Sequence, residues 1–523
     1  MSKGGSKSTI EGQAAVKNGV VRMILALLAL AMNILLTVLI VFKLHQNYTW
    51  FAVVFDILAL ITVLYIYGLH TSSSVKIPWM LIIIFLPVAG MVFYLLVGLN
   101  NTSRKMRKRY KKIDEALLPR LPENTDVEKR LQQELPFTAN IAHYLRKYAG
   151  FPVYENTDIT YYDDAAKGLE AQKEALRKAK GFIFMEYHAI EDSASWHGIC
   201  DILEEKVKEG VEVRVFYDDM GSIGFINTDF VKRLEAKGIK ARVFNPFSPG
   251  QNIFLNNRDH RKITVIDGKV GFTGGYNLAD EYFHVTEPFG FWKDTGLRLE
   301  GDAVRSLTVT FLEMWNAIRD DDVDDVSFEK YLTDYDYTAK EKTYVLPYAD
   351  SPMDDEAVGE EVYMSMAESA TKYVWFITPY LIITEEMIHT LSIAAKRGID
   401  VRIITPGIPD KKMVYSLTRS YYNVLVRNGV RIYEYTPGFC HAKMSITDDY
   451  MATCGTINLD FRSLYHHFEN GCLYAGCQAV MDTKKDFEKM FSEANEVTEY
   501  YRSGRGSFLR FGQMLLRLVA PLM

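Results

Sequence analysis

Two copies of one eighteen-residue pattern contain the side chains best suited to chemistry. The first copy is HRKITVIDGKVGFTGGYN, residues 260–277, and the second is HAKMSITDDYMATCGTIN, residues 441–458. Each places Lys two, Asp seven, Gly fourteen and Asn seventeen residues after the His. A pair of histidines can supply a nucleophile and a general acid, while lysines and asparagines stabilise an anion. Each copy therefore predicts half of a site for phosphate chemistry.

The candidate site residues follow directly from the pattern. The catalytic candidates are His260, Lys262, Asp267, His441, Lys443 and Asp448, and the phosphate-binding candidates are Asn277, Asn458, Gly275 and Thr456. We expect both lysines to stay charged and draw in the anion. The two aspartates end short strands, where we expect them to bond turn amides, so their role is structural. Gly-containing turns allow backbone to approach an anion.

A neutral histidine also needs an acceptor for its other ring nitrogen. Asp294, in FWKDTG, follows His260 by thirty-four residues, and Glu469, in HHFENG, follows His441 by twenty-eight. We expect these carboxylates to orient the histidines. The alternative for each is an ordinary carboxylate at the end of a strand.

A metal centre is the main chemical rival, since His and Asp are common ligands. The lysine beside each histidine would repel a cation, and no His-x-x-x-His or Glu-x-x-His spacing is present. We therefore expect neither a metal nor another cofactor. A thiol nucleophile at Cys440 is disfavoured because Asp259 occupies the same position in the first copy.

Length and composition limit the possible classes. A chain of 523 residues predicts two or three domains. A net charge of −6 argues against a general nucleic-acid-binding surface. The five cysteines form no CxxC pair, which favours a reducing compartment over a disulfide framework.

Three apolar stretches, residues 23–42, 50–67 and 77–98, predict an N-terminal membrane anchor. Lysines and arginines precede the first stretch, and the run RKMRKRYKK (104–112) follows the third. The positive-inside rule places both flanks in the cytoplasm and so requires an even number of spans. Three spans do not meet this requirement, so either one stretch is re-entrant or interfacial, or the N-terminus lies outside. The third stretch contains Pro78, Pro87 and Gly90, and it is our candidate for the exception.

The rest of the chain alternates strands and helices, which predicts an α/β fold with mainly parallel sheets. The series that begins at GFIFMEYHAI recurs from KYVWFITPYLI, so we infer a duplicated domain. We place the membrane anchor at 1–112, a connector at 113–140, the first domain at 141–325, an acidic linker at 326–345, the second domain at 346–500 and a basic amphipathic tail at 501–523. Residues 507–518 of the tail fit either a core-packing helix or an interfacial helix.

The paired HxKxxxxD patterns resemble those of the phospholipase D superfamily, and of bacterial cardiolipin synthases in particular, over nearly the whole chain. Strings outside the patterns, including IFMEYHAIED, VFYDDMGS, NNRDHRK, FITPYLI and GTINLDFRS, carry the same likeness. The resemblance implies two tandem domains that form one pseudo-two-fold catalytic core. It also supports Asp294 and Glu469 as the histidine-orienting carboxylates and His260 as the nucleophile, although the duplication alone does not order the two histidines.

The function implied by this resemblance is metal-independent transphosphatidylation through a phosphatidyl-histidine. Two molecules of phosphatidylglycerol would give cardiolipin and glycerol at the cell membrane, with a multi-pass anchor, cytoplasmic catalytic domains and a homo-oligomer as one possible assembly. Three alternatives stay open: a hydrolase that uses water, a synthase with another alcohol acceptor, and a membrane-anchored lipid-binding scaffold. A nuclease is disfavoured by the apolar stretches and the lack of a basic surface.

Overall fold

The computed structural model describes residues 49–69, 72–95, 103–246, 257–318, 328–354, 356–504 and 511–522, together with scattered positions between 21 and 43. Most of the first predicted apolar stretch and the start of the acidic linker therefore lie outside the described residues.

Helices dominate the described N-terminal part. They are α1 (Thr49–Tyr67), α2 (Ser73–Phe85), α3 (Pro87–Phe93), α4 (Ser103–Leu117), α5 (Thr125–Glu134) and α6 (Pro136–Tyr144). The predicted connector is thus largely helical, and buried residues of these helices, such as Leu117 and Leu131, join the main core. The basic run lies on α4.

The third apolar stretch is broken in the middle, as its proline and glycine content predicts. Helix α2 stops at Phe85 and α3 starts at Pro87, and a Cβ on Gly90 would lie 2.7 Å from the Ile82 carbonyl oxygen. Helix α3 therefore folds closely against α2, and at thirteen residues α2 is only about 20 Å long. Among the residues that the structure describes, no helix combines the length and apolar character needed to cross a membrane.

The first half of the catalytic part is one seven-stranded sheet with helices beside it. Its strands are β1 (Thr157–Tyr162), β2 (Phe182–Tyr187), β3 (Glu212–Asp218), β4 (Lys240–Phe244), β5 (Lys262–Ile266), β6 (Val270–Gly274) and β7 (Gly296–Gly301). Its helices are α7 (Ala165–Arg177), α8 (Ala194–Lys208), α9 (Asp219–Ser222), α10 (Phe230–Ala236) and α11 (Val304–Ala317).

The second half repeats this plan with an eight-stranded sheet. Its strands are β8 (Tyr344–Asp350), β9 (Tyr373–Ile377), β10 (Leu381–Ile382), β11 (Asp400–Pro406), β12 (Arg431–Tyr435), β13 (Met444–Thr447), β14 (Met451–Gly455), β15 (Leu459–Asp460), β16 (Glu469–Ala475) and β17 (Ala494–Glu496). Its helices are α12 (Val358–Ser369), α13 (Glu385–Lys396), α14 (Lys412–Arg427), α15 (Phe461–Tyr465), α16 (Gln478–Glu493), α17 (Thr498–Ser503) and α18 (Phe511–Val519). Strands β10 and β15 form a separate small pair.

The strand orders confirm the duplication. The first sheet runs β1-β7-β6-β5-β2-β3-β4, and the second runs β8-β16-β14-β13-β9-β11-β12 with β17 added at its edge. The predicted mainly parallel arrangement is wrong, however. In each sheet only three neighbouring strands are parallel, β2-β3-β4 and β9-β11-β12. The patterned segments fold as tight strand-turn-strand hairpins, and a hairpin joins antiparallel strands.

Alternating residues of the first sheet face two different cores. Ile183 and Met185 of β2 point into a core shared with α7 and α8, whereas Phe184 points toward α11 and the second half. The core that contains Phe184 and α11 extends into the second sheet. The two halves therefore share one apolar core, which holds their equivalent strands in fixed register.

The two pattern aspartates fasten the end of each hairpin strand that lies away from its histidine. The Asp267 carboxylate accepts hydrogen bonds from the main-chain N–H groups of Lys180, Gly181 and Phe182, at 2.7–2.9 Å. The Asp448 carboxylate does the same for residues 371–373, at 2.6–2.8 Å. Both aspartates adopt positive φ, of 55° and 50°. They anchor β2 and β9 as the sequence predicts, and they take no direct part in the site around the histidines.

We expect Asp448→Ala to destabilise the fold rather than to act on chemistry. The substitution leaves three main-chain donors without their acceptor. The Tyr373 N–H is the buried one of the three, and a buried donor left without a partner costs about 1–3 kcal/mol. The midpoint of thermal unfolding of the full chain in detergent should fall. Asp126→Ala, which removes an exposed carboxylate on α5, is the control and should leave it unchanged. Equal midpoints for the two variants would contradict this role.

Candidate active site

The two pattern histidines lie just before the equivalent strands β5 and β13, and each is nearly buried. His260 is 8% exposed and His441 is 7% exposed. The main-chain N–H of His260 donates to the Phe468 carbonyl, and that of His441 donates to the Lys293 carbonyl, both at 2.8 Å. Each histidine is thus held by a strand segment of the opposite half.

The orienting carboxylates are exchanged between the halves in the same way. The His260 Nδ1–H group lies 2.9 Å from both carboxylate oxygens of Glu469, and His441 Nδ1 lies 2.7 Å from Asp294 Oδ2. Each carboxylate therefore serves the histidine of the other half and not the one that it follows in sequence. An Nδ1–H donated to a carboxylate leaves the Nε2 lone pair free to act as a nucleophile or a base.

Both histidines are neutral at neutral pH. Burial, followed by the charge of Lys262, holds the pKa of His260 well below its usual value. Burial and the charge of Lys443 lower the pKa of His441 to about 4, against the opposing effect of Asp294. Neutral imidazole is the form that a nucleophile requires.

Each lysine lies two residues after its histidine, Lys262 at the first position of β5 and Lys443 directly before β13. The Lys262 ammonium donates to the His260 carbonyl at 2.6 Å, and the Lys443 ammonium donates to the His441 carbonyl. Burial is the largest cause that lowers the pKa of Lys262 to about 7 and that of Lys443 to about 8. Desolvation of an ammonium favours its neutral form, so burial weakens the charge of both lysines without abolishing it at neutral pH. Their role as permanently charged groups stays a prediction.

Gly275 and Thr456 lie against the orienting carboxylates, and their role as phosphate-binding residues stays a prediction. A Cβ at Gly275 would overlap the Asp294 carboxylate, and the Thr456 hydroxyl donates to Glu469. Their main-chain N–H groups are already used, by the carbonyls of Thr295 (3.0 Å) and Asn470 (2.9 Å). The shared spacing correctly identifies Gly275 and Thr456 as equivalent positions in the two halves. In the structure Gly275 lies against Asp294, and Thr456 donates to Glu469.

The two pattern asparagines differ in their surroundings. Asn277 accepts from the Ala189 N–H at 3.1 Å and donates to the Tyr282 hydroxyl at 2.8 Å. The Asn458 Oδ1 atom is buried and has no hydrogen-bond partner among the described residues. Their role as phosphate ligands stays a prediction.

Three polar residues near His260 were not among the candidates from the sequence. The His188 ring lies 4.9 Å from the His260 ring, and its Nδ1 bonds the Asp259 carbonyl at 2.7 Å. The His467 ring lies 5.6 Å away on another side, and Asn470 Oδ1 accepts from the Lys262 N–H at 3.3 Å. All three lie outside the repeated pattern, so its spacing could not reveal them.

The surroundings of His441 are aromatic instead. The rings of Tyr282, Trp292 and Phe439 lie 5.3, 5.7 and 5.9 Å from its imidazole. The two half-sites therefore share their carboxylate–histidine–lysine plan and differ in what lies around it. This difference breaks the equivalence that the two sequence copies suggest.

Comparison with known proteins gives a consistent assignment. Residues 173–315 and 363–491 match the family described as cardiolipin synthase, PLD-like domain, and residues 54–98 match the phospholipase D-nuclease N-terminal family. A cardiolipin synthase of Halalkalibacterium halodurans is 33% identical over 91% of this chain and 95% of its own length. One of Oceanobacillus iheyensis is 34% identical over 85% of this chain and 93% of its own length.

A solved structure has the same fold. The phosphatidylserine synthase of Haemophilus influenzae superimposes with a TM-score of 0.57 at 14% identity, covering 73% of this chain and all of that chain. Together with the paired carboxylate–histidine units, these matches show that the chain belongs to the cardiolipin synthase family of phospholipase D-like proteins.

Proposed function

We propose that this chain is a phosphatidyltransferase that converts two molecules of phosphatidylglycerol into cardiolipin and glycerol. The observation that carries the proposal is the pair of buried, neutral histidines, each bonded through Nδ1 to a carboxylate of the opposite half. A phosphodiester exchange needs two such groups, one to attack phosphorus and one to move protons. Family membership supplies the lipid substrate.

In the first step His260 Nε2 attacks the phosphorus of phosphatidylglycerol. The bond from phosphorus to the glycerol oxygen breaks, and His441 gives that oxygen a proton, so glycerol leaves and a phosphatidyl-histidine remains. Lys262 and Lys443 neutralise the phosphate oxygens. Burial, followed by the charge of Lys443, lowers the pKa of His441, and the substrate anion offsets the effect of that charge, so substrate binding favours the protonated form that this step needs.

In the second step His441 takes the proton from a hydroxyl of another phosphatidylglycerol. That oxygen attacks phosphorus, the phosphorus–His260 bond breaks, and cardiolipin forms. The reaction is reversible because the bonds broken and formed are of the same kind. The assignment of His260 as the nucleophile rests on the resemblance to the superfamily, and the separate surroundings of the two histidines are compatible with separate roles.

Burial of the site favours a lipid acceptor over water. Both histidines are almost enclosed, and the rings of Tyr282 and Trp292 lie 5.3 and 5.7 Å from that of His441. A covalent intermediate that excludes water persists until an alcohol of matching shape arrives. This feature distinguishes the proposed synthase from a hydrolase that shares the same catalytic groups.

We also propose that the protein is a multi-pass membrane protein with its catalytic halves in the cytoplasm. Apolar side chains of α1 and α2, among them Trp50, Leu60, Leu64 and Phe85, are exposed to the surroundings of the protein. Large exposed apolar surfaces mark contact with lipid or protein. The basic run on α4 would then lie at the anionic cytoplasmic leaflet.

The C-terminal helix α18 fits the same surface. Phe511 is 72% exposed, and Met514, Leu515 and Leu518 share its exposure. The opposite side is tied to the catalytic part, since Arg517 pairs with Glu385 at 3.3 Å. Helix α18 packs on α14, and the following turn, Ala520–Leu522, contacts α2. We propose that α18 lies in the headgroup layer beside the N-terminal helices.

The direct test is purified full-length protein with phosphatidylglycerol vesicles and a chelator of divalent cations. We expect cardiolipin and glycerol in equal amounts. Phosphatidic acid alone would identify a hydrolase, a product made only with a different added alcohol would identify another acceptor, and no turnover would favour a scaffold.

His260→Ala should abolish the covalent phosphatidyl-enzyme and lower kcat by about 10⁴-fold or more, because nothing else in the site replaces the nucleophile. Mass spectrometry of the protein after brief exposure to phosphatidylglycerol measures the adduct. His389→Ala, which changes an exposed histidine on α13, should behave as the wild type. An adduct that survives in His260→Ala would show that a different residue attacks.

The value of kcat/KM should fall as pH rises above about 7–8. Burial lowers the pKa of Lys262 to about 7 and that of Lys443 to about 8, so both ammonium groups are present below these values and are lost above them. The phosphodiester anion binds the ammonium form, and kcat/KM reports the ionisation of the free enzyme. The measurement is a pH profile on vesicles of constant composition, and a value that rises between pH 7 and 9 would contradict it.

A further inference from the structure

The structure brings three ligand-bearing side chains together at one edge of the site. They are His260 from the first half and His467 and Glu469 from the second, with one ligand atom of each within 4.8 Å of the others. His260 and Glu469 are buried, and the side chain of His467 is 10% exposed. No sequence spacing reveals this set, because its members come from two halves of the chain. Two histidines and one glutamate also form the protein ligands of several zinc centres.

His467 is the member that the proposed reaction does not use. Both of its ring nitrogens are buried and make no hydrogen bond within the described part of the chain, and its Nδ1 lies 3.5 Å from Glu469 Oε1. A buried polar atom without a partner costs about 1–3 kcal/mol. The imidazole faces Glu469, with which it makes only a long contact of 3.5 Å, and the ring of His260, so a ligand between these groups would complete its coordination.

The distances suit a small transition-metal ion. Zinc binds nitrogen and oxygen ligands at about 2.0–2.2 Å in a tetrahedron, which separates the ligand atoms by about 3.3 Å. Glu469 lies 2.9 Å from His260 Nδ1 and 3.5 Å from His467 Nδ1, so small side-chain shifts bring both pairs to that separation. The fourth position would hold water.

We propose that His260, His467 and Glu469 form an inhibitory site for Zn²⁺. The two nearby ammonium groups oppose a cation, so the site should be weaker than a structural zinc centre. Mg²⁺ prefers oxygen ligands in an octahedral arrangement and should not compete for two imidazoles.

The bound metal would block the first chemical step. Zinc on His260 Nδ1 replaces the hydrogen bond to Glu469, and the ring proton then resides on Nε2. A nitrogen that carries this proton has no lone pair with which to attack phosphorus. The site therefore acts as a metal-dependent off state of the nucleophile, and this consequence rests on the proposed function, whereas the binding itself does not.

The first test is Zn²⁺ binding to the full-length protein in detergent without lipid, by equilibrium dialysis. The wild type should bind one ion that a chelator removes. His467→Gln should weaken zinc binding by about 100-fold. Loss of a group that only supports a metal ligand already weakens metal affinity by about 10–100-fold, and loss of the ligand itself should cost at least as much. His466→Gln is the matched control, since its ring faces the Pro521 carbonyl instead, and it should bind as the wild type.

The second test is transfer between phosphatidylglycerol molecules in vesicles with increasing Zn²⁺. Zinc should inhibit the wild type and His466→Gln alike, Mg²⁺ should not, and His467→Gln should stay active at zinc concentrations that stop the wild type.

Wild-type protein that binds no zinc, or His467→Gln that binds zinc equally well, would overturn the site. Loss of transfer in metal-free His467→Gln with unchanged zinc binding would assign His467 to the substrate and also overturn it. If no protein catalyses transfer, the proposed function fails while the binding test still decides the metal site.

Discussion

The exchange of carboxylates across the pseudo-two-fold axis is the constraint on which the rest of the site depends. His260 takes its orienting partner, Glu469, and its main-chain acceptor, Phe468, from the second half, and His441 takes Asp294 and Lys293 from the first. Neither half alone supplies both a histidine and the carboxylate that orients it. The shared apolar core is what keeps the two sheets in the register that these bonds require. Duplication thus produced one site rather than two.

This arrangement explains why the buried charges of the site are tolerated. Burial disfavours the imidazolium and ammonium forms and so lowers the pKa values of both histidines and both lysines. The carboxylates offset part of that cost through short hydrogen bonds. A phosphodiester anion supplies the remaining negative charge. The site is therefore electrostatically incomplete until its substrate arrives, and binding and protonation are coupled.

The sequence predicted the duplicated α/β halves, the structural role of the two aspartates and the two orienting carboxylates, because each leaves a local pattern or a repeated spacing. It could not predict which carboxylate serves which histidine, since that depends on how two distant segments pair. For the same reason it missed His188 and His467, and the contacts of Gly275 and Thr456 with Asp294 and Glu469. The mainly parallel sheet was wrong because the order of strands along the chain does not fix the direction in which hairpins add to a sheet.

The most direct test of the shared site is a double-mutant cycle on the free energy of unfolding, measured by reversible urea unfolding of the full chain in detergent. His260→Ala combined with Glu469→Gln should show a coupling of about 1–3 kcal/mol, as expected for groups in contact. His260→Ala combined with Asp294→Asn should be additive within about 0.5 kcal/mol. Coupling of His260 to Asp294 and not to Glu469 would mean that each half completes its own histidine, and would contradict the exchange.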